Sequence, residues 1–351
     1  MSDITSSRTG GSALASRVPA RLKDVAALAG VSMKTVTNVV HERPYVAGET
    51  RSRVLAAIAE LDYRPSLAGR QLRGVRSNIL TLAVPRVDEP YLGALSHAII
   101  AAATVRGFTV LIDETGGRPA HEREAVEGYP GHGIDGVIFS PLAADPAHLA
   151  ATSTRRPLVL LGEQLATGSA DYVAIDNAAS ARDVVRHLLD RGRRRIGFLG
   201  AQPDRPSAVG ELRRQTFVDE LERAGIRARP SWQIEADEFS RDSGARLAGR
   251  MLNRGTRLDA LVCASDLLAI GALRSLRKRG IRVPDQVAVV GWDDVVDGRW
   301  SSPTLTTVSP DLPYLAEQSL EALIRRIDGD RSPGRTVVVP HRIVIRESTG
   351  L

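Results

Sequence analysis

Lys34 and Asn38 stand four residues apart in the stretch GVSMKTVTNVV, residues 30–40, with Met33, Thr35 and Thr37 between and beside them. If the stretch is helical, an ammonium and a carboxamide at i and i+4 share one face. Together they offer donors and an acceptor that can point at base-pair edges. By strict alternation the second half of the stretch would pass for a β-strand. The helical reading is preferred, because a lone strand between two amphipathic helices would have nothing to pair with.

The elements that must position these side chains are three short helices. In RLKDVAALA, Leu22, Val25, Ala26 and Ala29 recur at three- and four-residue spacing, and Gly30 stops the helix. Ser32 can cap the next helix by accepting from a free backbone N–H. There Val36, Val39 and Val40 form one face, and Met33, Lys34, Thr37 and Asn38 form the other. A third helix, near 49–61, is expected to bury Val54, Leu55, Ile58 and Leu61 and to expose Arg51 and Arg53. Two such helices across a tight glycine turn make a helix-turn-helix, whose second helix offers its polar face to the major groove. A plain helical bundle with a solvated polar face would show the same pattern.

Charge separates the two. Residues 1–76 hold 12 Lys or Arg against 6 Asp or Glu, whereas the remaining 275 residues hold 35 of each. With 44 Arg and only 3 Lys in the chain no single arginine means much, but the asymmetry suits a small head for a polyanion on a neutral body. In YRPSLAGRQLRGVRS, residues 63–77, Pro65 breaks the preceding helix and Ser66 can cap a new one. The helical piece 67–73 is too short to persist alone in water. Arg64, Arg70, Arg73 and Arg76 make phosphate its expected contact.

From Ile79 the pattern becomes short apolar strands (ILTLAV, FTVLI, GVIFS, LVLLG, YVAIDN, IGFLG, ALVCAS, VAVVGW) alternating with helices. This predicts parallel sheets covered on both faces. A break near 176–181 divides the strands into two α/β subdomains with a cleft between them. Ligands in such sheets bind beyond the carboxyl ends of the strands. The candidates there are residues 88–91 (Asp88 to Tyr91), Asp113, Ser140, Glu163, Ser265 with Asp266, and Trp292 with Asp293 and Asp294. A polar, acidic set with aromatic neighbours suits a small hydroxylated ligand held by hydrogen bonds and ring stacking.

The rest of the composition narrows the classes. At 351 residues, 43% apolar and 25% charged, the chain has room for two or three domains of a soluble protein. One cysteine, Cys263, makes no intramolecular disulfide, and the first 19 residues read as a flexible leader without the apolar core of a secretory signal. The cytoplasm is the expected compartment. Neither cofactor nor metal is expected: there is no G-x-G-x-x-G after the first strand, no phosphate-binding loop and no nucleophile elbow, and the seven histidines are scattered. An enzyme is therefore not expected.

LKDVAALAGVSMKTVTNVV with ETRSRVLAAIAELDYRPSLAGRQLR resembles the DNA-binding head and hinge of the lactose-repressor (LacI/GalR) family of bacterial transcription regulators. The resemblance continues through VAIDN, LVCASDLLAIGAL, VAVVGWDD and IVIREST, covering about residues 20–350. It implies a repressor that binds a near-palindromic operator as a homodimer and is switched by a small, sugar-like effector. The implied architecture is a three-helix head (20–64), a hinge helix (65–77) and a core of two doubly wound parallel-sheet subdomains of the periplasmic-binding-protein-like type (78–351). The first subdomain would take 78–176 and 309–332, the second 177–308 and 333–351. A solute-binding component of a transporter shares that core, but has no use for a basic head.

Carried over to matching positions, the resemblance makes Met33, Lys34 and Asn38 base readers. Leu22, Ser32, Thr35 and Tyr45 would contact backbone or seat the helix, Arg70 would lie in the hinge, and Leu72 would be the minor-groove wedge. In the core it makes Asp88, Tyr91, Arg213, Phe239, Ser265 and Asp293 effector contacts. The competing readings are a surface arginine for Arg213, in an arginine-rich chain, and a core aromatic for Phe239. The chain departs from the family at Asn38, often Arg; at Arg21, usually a capping Thr or Ser; at Gly69, inside the hinge; and at Ser265, often Asn.

Overall fold

The computed structural model describes residues 20–40, 43–63, 76–128, 133–162, 170–204 and 209–350. The chain divides into two units, Met1–Val75 and Arg76–Leu351.

In the first unit α1 (Leu22–Ala29), α2 (Met33–Val40) and α3 (Gly48–Glu60) are all helical, so residues 33–40 are not a strand. Arg21 supplies no side-chain cap to α1; instead the Asp24 carboxylate accepts the Arg21 N–H at 2.8 Å. Gly30 takes the left-handed conformation (φ 65°) that ends α1, and Val31 N–H donates back to Ala26 O at 3.0 Å. Ser32 Oγ accepts the Thr35 N–H at 3.1 Å, as its position before α2 predicts. Val25, Ala26, Ala29, Val36, Val39, Val54 and Ala57 form the buried core.

Two expectations for α3 need correction. Leu55, expected inside, is 51% exposed, because Val54 and Ala57 at i and i+3 take the inward face. Arg51, expected outside, is half-buried, and its guanidinium donates to Arg43 O at 2.6 Å. Arg64, Arg70, Leu72 and Arg73, with the leader 1–19, lie outside the described residues.

The described residues of the second unit hold two six-stranded sheets. The first runs β11 (Thr336–Val339), β5 (Asp171–Ile175), β4 (Leu158–Leu161), β3 (Gly136–Phe139), β1 (Ile79–Val84), β2 (Thr109–Glu114), with every pairing parallel. The second runs β12 (His341–Val344), β10 (Thr306–Pro310), β9 (Ala288–Trp292), β8 (Ala260–Cys263), β6 (Ile196–Ala201), β7 (Gln233–Glu235), parallel except for β10 with β12. The described α-helices of this unit are α4 (Pro90–Val105), α5 (Pro119–Glu127), α6 (Pro146–Ser153), α7 (Asn177–Asp190), α8 (Val209–Arg223), α9 (Arg241–Asn253), α10 (Asp266–Lys278), α11 (Val296–Trp300) and α12 (Leu312–Ile327). Each sheet has its own apolar layers, so the groove between them is free to be polar.

The chain passes between the sheets after β5, after β10 and at Pro340. The third passage corrects the expected boundary: 333–339 do not belong to the second subdomain, since β11 pairs with β5 from Thr336–Tyr172 to Val339–Ile175. TVVVPHRIVI looks like one strand, but Pro340 cannot donate to a ladder, and the chain changes sheets there. Complete coverage also fails at β2. It is an edge strand, with Leu111 and Ile112 47% and 45% exposed.

Candidate nucleic-acid interface and ligand cleft

On α2 the valines Val36, Val39 and Val40 pack into the three-helix core, which leaves Met33 and Lys34 exposed and Asn38 partly so. Thr35 is occupied locally, its Oγ1 2.9 Å from Ser32 Oγ, and Thr37 Oγ1 donates to Met33 O at 2.9 Å. Leu22 packs partly buried against the core and so seats α1. Tyr45 does not seat α3. It is 71% exposed, and its hydroxyl donates to Asn38 Oδ1 at 3.4 Å. Lys34, Asn38 and Tyr45 therefore share one polar surface above a small apolar core.

In the second unit Asp88, Tyr91, Arg213, Phe239, Ser265 and Asp293 all line one cleft of about 370 Å³ between the two sheets. That volume suits a small ligand. Asp88 and Tyr91 come from the turn between β1 and the N-terminus of α4, Arg213 from α8, Phe239 from the turn before α9, and Asp293 from the end of β9. Ser265 caps α10, accepting Leu268 N–H at 3.3 Å, which ties its hydroxyl to the backbone. Aromatic residues are 4% of the chain, yet Tyr91, Phe239 and Trp292 all reach this cleft.

Arg213 is held from several sides. Its Nε–H donates to Asn177 Oδ1 at 3.0 Å, a terminal nitrogen donates to Ala264 O at 2.5 Å, and the guanidinium lies 4.9 Å from the Trp292 ring. Trp292 is fixed in turn, Nε1–H donating to Ser180 Oγ at 3.2 Å. Helix α8 can come this close because Gly210 has no side chain; a Cβ there would sit 2.4 Å from Gly200 O. Arg213 is thus buried, and it is not one more surface arginine.

Asp293 and Asp294 follow β9 with φ of 104° and 51°, a conformation costly for non-glycine residues and concentrated at functional sites. Their neighbours hold it in place. The buried Asp266 accepts from Thr307 Oγ1 at 2.6 Å and from Val295 N–H at 2.9 Å. Asp294 accepts from Arg346, from Arg299 at 3.2 Å and from Ser309 Oγ at 3.1 Å. Asp266 and Asp294, strand-end candidates by sequence, are supports that aim Asp293 and do not line the cleft. Asp113 does not line it either, and Glu163 lies outside the described residues.

Burial pushes the Asp293 carboxyl up to about 6, against the pull of Arg213. Glu89, at the N-cap of α4, is pushed up to about 7, first by burial and then by Asp293. Sequence reasoning gave Glu89 no separate role and missed Asn177, although it lies in the VAIDN segment. Among the described residues no group of acids, histidines or cysteine could hold a metal ion, and no helix is long and apolar enough to cross a membrane.

The two regions also match known proteins. Residues 21–66 match the bacterial regulatory proteins of the lacI family, and residues 185–349 match the periplasmic binding protein-like domain. The HTH-type transcriptional repressor PurR of Proteus mirabilis (strain HI4320) is 30% identical over 333 residues, 94% of this chain and 96% of that protein. The solved complex of the transcriptional regulator CelR with cellobiose is 31% identical, covering 94% of this chain and 99% of that one, with a TM-score of 0.69. The lac repressor dimer bound to operator and the anti-inducer ONPF is 29% identical, covering 95% and 100%, with a TM-score of 0.83.

Proposed function

The chain belongs to the LacI family of bacterial regulatory proteins, and we propose that it is a homodimeric repressor whose cleft takes a sugar-like effector. Membership makes it a DNA-binding transcriptional regulator with an effector-binding core, and not an enzyme. The observation that carries the proposal is the cleft wall. A buried arginine stacked on Trp292 stands beside Asp293, whose carboxylate accepts from the Asp266 backbone N–H and has lone pairs left for paired hydroxyls, with Tyr91 and Phe239 available for stacking. The likeness to a cellobiose-bound regulator supports the same ligand class.

Lys34 and Asn38 would read bases, while Met33 and Tyr45 flank them and Ser32 and Thr35 secure the helix start. Arg70 would meet phosphate, and Leu72 would wedge the minor groove at the operator centre. The dimer would form through the apolar face of α4 and β2, where Ile100, Val105, Leu111 and Ile112 are 37%, 86%, 47% and 45% exposed. A dimer presents α2 twice, so the operator would be a near-palindrome. The protein would work in the cytoplasm. The test is selection of binding sites from random DNA by the full chain, with and without cellobiose. A two-fold symmetric site whose occupancy changes with the sugar supports the proposal, and sites without symmetry contradict it.

A further inference from the structure

The cleft brings two carboxylates from opposite subdomains to one space. Glu89 stands at the N-cap of α4 on the first, and Asp293 at the end of β9 on the second. The cations that line the same space are engaged. Arg86 forms a two-bond pair with Asp88, at 2.9 and 2.8 Å. Arg241 is paired with Asp297. Arg213 bonds Asn177 and Ala264, and its charge faces Asp293. Among the described residues, Glu89 has no ion-pair partner within 4 Å, and Glu238 adds a further carboxylate at the rim.

We propose that Glu89 makes this cleft select carbohydrates by charge, admitting neutral and amine-bearing ones and rejecting those that carry a carboxylate or phosphate. The inference rests on the cleft being the effector site. Once Arg213 is set against Asp293, and Arg86 and Arg241 against Asp88 and Asp297, the surplus charge is that of Glu89 inside the cleft and Glu238 at its rim. A neutral sugar donates hydroxyl hydrogens to both carboxylates, and a protonated amine cancels the surplus as well. An anionic group must be desolvated beside a like charge, with each lining arginine already occupied. Burial first, and then repulsion from Asp293, raise the Glu89 carboxyl, and the repulsion is relieved by a ligand that donates hydrogen bonds or brings positive charge.

Calorimetric titration of the full chain tests this with matched pyranose probes: glucose against glucosamine and glucuronate. The wild type should bind each neutral or amine-bearing member at least tenfold more tightly than its acid. Glu89→Gln should bring that ratio within about threefold, and Glu89→Asp, which keeps the charge, should retain it. Equal binding of acid and neutral members by the wild type overturns the inference. So does a ratio unchanged in Glu89→Gln, a ratio lost in Glu89→Asp, or loss of all binding in Glu89→Gln, which would make Glu89 an anchor and not a filter. If no probe binds, the sugar reading itself falls, and the inference with it. Asp293→Ala separates the two failures. Sugar binding that survives it moves the site elsewhere, whereas binding lost there but unselective by charge defeats only the role of Glu89.

Discussion

The Tyr45 hydroxyl, carried ahead of α3, donates to Asn38 Oδ1 on α2 at 3.4 Å. A long, exposed bond of this kind contributes little stability. It does orient the carboxamide that the family resemblance marks as a base reader. Tyr45→Phe should therefore leave the melting temperature unchanged and weaken discrimination at one half-site position by about 0.5–1 kcal/mol. Asn38→Ala should cost about 1–3 kcal/mol at the same position. Competition binding with single-base operator variants checks both.

Asn177 should matter to the cleft without touching the head. Removing its carboxamide leaves Arg213 Nε buried without that acceptor, a loss of about 1–3 kcal/mol. Asn177→Ala should weaken sugar binding about ten- to a hundredfold in calorimetry and leave operator affinity of the sugar-free protein unchanged. Gly210→Ala, whose Cβ would meet Gly200 O, should displace α8 and have the same effect.

Much of this site was legible in the sequence, because ligand positions in doubly wound sheets follow strand ends, and strand ends show where apolar runs stop. Asp293 and Trp292 were found that way, although Asp266 and Asp294 met the same rule and proved to be supports. Periodicity could not separate them, because whether a carboxylate faces the cleft or a threonine behind it depends on the backbone turn at positive φ. Asn177 escaped because it opens a helix and owes its place to an arginine 36 positions away. The sheet change at Pro340 was hidden for a similar reason: β11 and β12 are short and contiguous, and their partners are distant in sequence. Leu55 shows the limit of the helical pattern, since i+3 and i+4 spacing left open which of two adjacent apolar residues turns inward.

The cleft carboxyls set a pH dependence. Glu89 and Asp293 are pushed up to about 7 and about 6, above their ordinary values of 4.5 and 3.8. The folded state therefore holds protons that the unfolded state has released, and this contribution to stability is present below about pH 4 and lost as pH rises through 6 to 7. The facing charges are Arg213, Arg86 and Glu238, and Tyr91 stays protonated throughout this range. Deprotonation also creates the acceptors that a neutral sugar needs. Sugar affinity should rise between pH 5.5 and 7.5 and then level off, with a smaller rise in Glu89→Gln. Titrations at five pH values measure the slope.

For the proposed dimer face, Leu111→Asp together with Val105→Asp should give monomers in analytical ultracentrifugation. Both side chains are exposed, so the fold should survive. Operator affinity should fall at least a hundredfold through lost bivalency.

The central claim is that occupancy of the cleft at Asp293 governs DNA binding. It is tested most directly by operator titrations of the full chain and of Asp293→Ala, each without sugar and with the sugar that binds the wild type best. The account predicts that the sugar shifts wild-type operator affinity at least tenfold. The variant should bind operator like the sugar-free wild type and not respond. A variant that still responds at the wild-type sugar concentration would contradict it.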